Sequence, residues 1–140
     1  MDMMQQDLER NIIASAIQNP VDIKEFISMP VDAWTNVSFG KIHEAIQKLF
    51  LDGKHIDHIS VYEKLKEIGH PVKIDDLYSL GESYVMLDSN FKNLCLLFKS
   101  AYDQRIVVSA IEEAGEIARA APNATEAKQS AIGRLLDLDD

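Results

Sequence analysis

Apolar residues recur at intervals of three and four along nearly the whole chain, and runs of strict alternation are almost absent. That spacing predicts helices and no sheet, so the fold class is all-α. Leu8, Ile12, Ile13, Ala16 and Ile17 share one face of a first helix, Met4 to Gln18, which Asn19-Pro20 ends. A short helix around Val21 to Ile27 runs into Met29-Pro30. The next helix, Ser38 to Asp52, has Ser38 as its expected N-cap and Gly53 at the left-handed position after its end. Its inward face is Ile42, Ala45, Ile46, Leu49 and Phe50. Asp57 can cap a fourth helix with Ile59, Val61, Tyr62, Leu65 and Ile68 as its apolar set and Gly69 as its stop. A short fifth helix, Ile74 to Leu80, breaks at Gly81.

From Asn90 the pattern changes, because FKNLCLLFKSAYDQRIVVSAIEEAGEIARAA holds no proline and the single glycine Gly115. One long helix is the simplest reading. Pro122-Asn123 breaks it, and Asn123 with Glu126 has capping-box spacing for a last helix, about Ala124 to Leu138. The expected architecture is a globular body of about five helices over 1–88 and a C-terminal helical hairpin over 89–140, together one domain.

The long helix carries more apolar surface than its partner can cover. Leu94, Leu97, Phe98, Ala101, Tyr102, Val108 and Ile111 make a broad face, which Leu96, Ile106 and Val107 widen. The last helix offers only Ala127, Ala131, Ile132, Leu135 and Leu136 in return. Either the chain's own body covers the remainder or another subunit does. Leu94, Leu97, Phe98, Ala101, Tyr102, Ile106, Ile132 and Leu135 are the candidate interface residues. A charge at Leu97 or Phe98 is expected to disrupt self-association and leave the body helical.

At 140 residues the chain is the size of one ordinary domain, able to bury roughly 68–70% of the surface its unfolded form exposes. Its formal net charge is −9, and residues 1–50, 51–100 and 101–140 carry −3, −2 and −4. No third is basic, so the clustered cations of a duplex-binding face are missing and strong direct binding to nucleic acid is not expected. Cys95 is the one cysteine; in the apolar string LCLLF it reads as a small buried hydrophobe. Neither a cationic start with an apolar run nor eighteen consecutive apolar residues occurs, which argues against export or a membrane span and for a cytoplasmic protein.

Candidate chemistry is sparse. His43-Glu44 begins like a zinc-hydrolase helix, but that motif needs a second histidine four residues on, and position 47 is Gln47. His55 and His58 could add ligands from the following turn, although they flank Asp57, whose expected work is capping. Solvated polar positions on an amphipathic helix are the better reading of His43 and Glu44. Both Gly-Lys pairs, Gly40-Lys41 and Gly53-Lys54, lack the glycine and hydroxyl of a phosphate-binding loop. No serine sits in a nucleophile elbow. Glu112-Glu113 and Asp75-Asp76 diverge by about 100° on a helix and read as solvated faces. Catalytic, cofactor-binding and metal-ligating residues are therefore expected to be absent.

The order of elements and several local strings resemble the N-terminal domain of the bacterial and phage replicative DNA helicase, the DnaB type. IHEAIQKLFLDGKHIDHISVYEKLKEIG supplies Ile42, Ala45, Ile46, Leu49, Gly53, Ile56, Asp57, Val61, Leu65 and Gly69 in the matching places. DLYSLGES resembles the short helix before the family's hairpin, and NFKNLCLLFKSAYDQRIVVSAIEEAGEIA resembles the long hairpin helix. The likeness runs from about Asp7 to Leu138. It implies a non-catalytic collar domain in a bacterial or phage-infected cell. Its hairpins would pair into dimers, possibly a trimer of dimers, and it would dock primase and helicase loader during DNA replication. ATP and Mg would belong to a motor domain following Asp140, so this chain alone is not expected to be an enzyme. The alternative is a stand-alone phage or plasmid adaptor or inhibitor that uses the same fold to bind a host helicase or primase. The helicase-binding end of primases looks similar in fold as well; the helix ends at Gly53 and Gly69 favour the helicase side.

Overall fold

The computed structural model describes residues 3–18, 23–82 and 91–139. The described residues form seven α-helices and no strand: α1 Met3–Gln18, α2 Ile23–Ile27, α3 Val37–Leu51, α4 His58–Glu67, α5 Ile74–Glu82, α6 Phe91–Ala120 and α7 Ala124–Leu136. Short 3-10 turns lie at Val31–Ala33 and Asp137–Asp139. The expected stop at Asn19-Pro20 and the expected body–hairpin boundary at 88/89 lie outside the described residues. Two compact units are present, Met1–Lys99 and Ser100–Asp140, and α6 passes from one into the other.

The first unit is built on α1 and α3, whose buried residues follow the helical spacing of the sequence. Ile12, Ile13, Ala16 and Ile17 of α1 and Ile42, Ala45, Ile46 and Leu49 of α3 are all buried. α3 starts two residues earlier than its expected cap allowed. Asn36, not Ser38, is the N-cap, its Oδ1 accepting from the Phe39 amide at 3.1 Å. Gly53 then turns the chain at φ 68° and Gly69 does the same after α4 at φ 81°, a backbone state that costs a side-chain-bearing residue about 1–2 kcal/mol. The expected cap at Asp57 is present as a full capping box. Its carboxylate accepts from the Ser60 amide at 2.7 Å, while Ser60 Oγ accepts from the Asp57 amide at 2.9 Å. The hydrogen bond donated by the Ser60 backbone N–H holds the Asp57 carboxyl below its ordinary pKa.

Two expectations for α4 and α5 need correcting. Ile59, assigned to the apolar set of α4, is exposed, and Val61 and Leu65 alone of that set are buried. The helix is short, so only the two positions four residues apart on its inner face reach the core. Gly81 does not break α5, which continues to Glu82.

In the second unit, Asn123 caps α7 through its Oδ1, which accepts from the Glu126 amide at 2.9 Å. Arg134 Nε of α7 reaches Glu113 of α6 at 2.9 Å and ties the two arms. The α-helical part of α7 ends at Leu136, two residues short of expectation, and passes into the 3-10 turn. The buried positions of this unit are small: Ala110 and Ala114 on α6 are buried, and Ala127 and Ala131 on α7 are half-buried. Ile132, Leu135 and Leu136, assigned to the inner face of the hairpin, are exposed.

Candidate functional site

The candidate interface divides between the two units. In the first, Leu94 is half-buried and Leu97 is 59% exposed, but Phe98 is 0% exposed. The Phe98 ring stands 4.4 Å from that of Trp34, so it belongs to the body core and is not available to another chain. Grouping it with Leu97 followed the composition of the string; on a helix the two point about 100° apart. Cys95, one turn before Phe98, is also fully buried. Burial chiefly, together with the Glu25 charge and against the opposing pull of Lys99, pushes its thiol up to about 12. A thiol held neutral in this way is an apolar filler.

In the second unit Ala101 and Tyr102 are half-buried, with the Arg105 guanidinium 5.8 Å from the Tyr102 ring centroid. Ile106, Val107, Val108 and Ile111 on α6 are exposed, Ile111 at 55%. With Ile132, Leu135 and Leu136 of α7 they give each arm of the hairpin uncovered branched aliphatic side chains. Isolated exposed leucines are ordinary; seven exposed large apolar side chains within one small helical pair are more than single exposed residues account for.

The residues considered for a metal do not converge. Glu44 is half-buried with Lys41 3.6 Å away, His55 is exposed beside Asp57 at 3.6 Å, and His58 stacks on Tyr78 with centroids 4.4 Å apart. Among the described residues no three His, Cys, Asp or Glu side chains are grouped as a metal would require. His43 is not a solvated position, as its polar neighbours on α3 suggested; it is fully buried.

Its setting is specific. The Trp34 indole donates to His43 Nδ1 at 2.7 Å, and His43 Nε2 lies 2.7 Å from the Phe26 carbonyl oxygen. An indole can only donate and a carbonyl can only accept, so Nδ1 is the bare nitrogen and Nε2 carries the proton. Burial drives the His43 pKa down to about 4, partly offset by the bond to the Phe26 carbonyl, and the ring is neutral at pH 7. Gln47, one turn on, donates to the Ile27 carbonyl at 2.9 Å. The rings of Phe26, Trp34 and His43 surround this bridge, with Phe26 and His43 centroids 4.4 Å apart.

A second buried polar group, Glu9 of α1, received no role from the sequence. It is fully buried, and its carboxylate accepts from the Thr35 amide at 3.0 Å, the Thr35 hydroxyl, the Asn36 amide at 3.2 Å and Gln5 Nε2 at 2.9 Å. It thereby fixes the segment that precedes α3. The spacing carried the signal for both residues: Glu9 lies three, four and seven positions before Ile12, Ile13 and Ala16, and His43 lies between Phe39 and Ile46 on the buried face of α3.

The DnaB-like helicase N terminal domain family matches over residues 2–95. No curated protein sequence matches the chain. Among solved structures, the chain is similar to the N-terminal domain of DnaB helicase from Mycobacterium tuberculosis. The TM-score is 0.78 at 16% identity, over 93% of this chain and 94% of that one. At that identity the likeness concerns the fold.

Proposed function

The chain belongs to the DnaB-like helicase N-terminal domain family, and from that premise we propose that it serves as a non-catalytic collar domain of a replicative helicase. It self-associates through the hairpin and offers a docking platform to primase and helicase loader, with no cofactor of its own. The observation that supports this reading is the set of exposed aliphatic side chains on both hairpin arms, Ile106 and Ile111 on α6 and Ile132 and Leu135 on α7. Their burial between two copies covers the same patch twice, as an isologous dimer requires. The acidic surface suits a basic protein partner and not a phosphate backbone.

Light scattering after size exclusion, over a concentration series, tests the proposal. Dimers or higher even multiples of the monomer mass are expected. A monomer at every concentration would remove self-association through the hairpin and leave the adaptor reading, in which a different protein covers those side chains.

A further inference from the structure

Trp34 is the one tryptophan of the chain, and its ring joins a titratable group to the root of α6. On one side its indole N–H donates to His43 Nδ1; on the other its ring lies 4.4 Å from Phe98. Phe91, at the start of α6, stacks on Phe26 with centroids 6.2 Å apart, and the Phe26 carbonyl is the second partner of His43. Both aromatic residues that hold residues 91–99 are thus tied to the same imidazole. The ion pair from Lys92 to Glu25 at 4.0 Å, with a lysine 60% exposed, adds little to that hold.

The donor count makes the arrangement conditional. Neutral His43 has one donor and one acceptor, and both are used. A second proton on Nδ1 would point at the indole N–H across 2.7 Å, setting donor against donor, and turning the ring would surrender the Phe26 carbonyl. The protonated ring therefore cannot keep both bonds. We propose that His43 is an acid-released latch: its neutral imidazole holds Trp34 against Phe98, and its protonation frees residues 91–99 from the body while α3 and α4 stay folded.

The His43 pKa is lowered in the folded protein, so the hold is complete above the ordinary value of 6.5 and is lost as pH falls through about 4. The other charged groups on the surrounding elements are accounted for differently. Lys24 and Asp32 are exposed, and Lys41 lies 3.6 Å from Glu44. Lys99, half-buried, acts on Cys95, whose high pKa keeps it neutral throughout. Glu9 is the competing candidate, because it holds Thr35 and Asn36 beside Trp34.

With one tryptophan, the indole N–H gives one resonance in the 15N-labelled protein. Following it from pH 7 to about 3.5, alongside amide exchange corrected for its intrinsic pH dependence, tests the latch. The indole is expected to lose its hydrogen-bonded shift near pH 4, with exchange at residues 91–99 rising at least about tenfold while the α3 amides stay protected. His43→Asn, which keeps an acceptor near Nδ1 but cannot titrate, removes the step. Trp34→Phe, which keeps a ring on Phe98 without the donor, removes the step at 91–99 as well and decides the matter if the asparagine variant does not fold. Glu9→Gln leaves the step in place. The proposal is overturned if the step survives in either of the first two variants, vanishes in Glu9→Gln, or coincides with loss of protection in α3.

Discussion

Leu97 and Phe98 are neighbours in sequence and opposites in environment, and the difference decides what a mutation at each would report. Phe98 is fully buried against Trp34, so Phe98→Ala should cost about 3–5 kcal/mol through lost burial and the cavity left behind. Leu97, 59% exposed, should tolerate Leu97→Glu within about 0.5 kcal/mol. Urea unfolding followed by circular dichroism measures both. Near-equal midpoints for the two variants would mean that the root of α6 does not form part of the core. The same comparison withdraws Phe98→Glu as a probe of self-association, since a charge there attacks the body first. Glu9 and His43 carry a parallel lesson. Each sits on the apolar spacing of its helix, yet residue type assigned His43 to solvent and left Glu9 without a role. A buried polar side chain is tolerable where every partner is supplied, as Thr35 and Asn36 supply Glu9, and those partners lie 26 or more residues away, beyond the reach of local pattern.

At the level of elements, the legible parts were those set by local rules. The cap at Asp57 and the helix ends at Gly53 and Gly69 are decided within a few residues, and all three were readable, although the Ser60 half of the capping box was not. The start of α3 was not, because Asn36 and Ser38 can both cap and the choice falls to the Glu9 bonds that hold the Asn36 backbone extended. The last helix's inner face was legible in part: of the set offered to α6, Ala127 and Ala131 are half-buried, whereas the larger Ile132, Leu135 and Leu136 stand exposed. Glycine position gives a clean check on these assignments. Gly69, at φ 81° with open space around it, should lose about 1–2 kcal/mol as Gly69→Ala from backbone strain alone. Gly133 lies inside α7 with nothing within 4 Å of an added Cβ, so Gly133→Ala should gain up to about 1 kcal/mol. Thermal midpoints moving in the same direction for both would contradict the backbone assignment at one of them.

For the molecule as a whole, charge and apolar surface make opposing demands on self-association. Each copy carries −9 overall and −4 within residues 101–140 alone, while the large hydrophobic side chains exposed on the same hairpin beyond Ser100 are aliphatic. Pairing two hairpins therefore gains burial and brings like charge together. Screening weakens only the second effect, with the Debye length falling from about 30 Å at 0.01 M salt to about 8 Å at 0.15 M. Self-association should consequently strengthen across that range, whereas capture of a basic partner should weaken. Ile132→Glu, which removes a methyl-rich side chain and adds a like charge, should shift the dimer toward monomer at both salt concentrations and leave the helical signal and thermal midpoint nearly unchanged, because Ile132 is exposed in the single chain. Sedimentation velocity on both proteins at the two salt concentrations distinguishes the cases. A dimer that dissolves on adding salt would place charged contacts at its centre and move the interface away from Ile106, Ile111, Ile132 and Leu135.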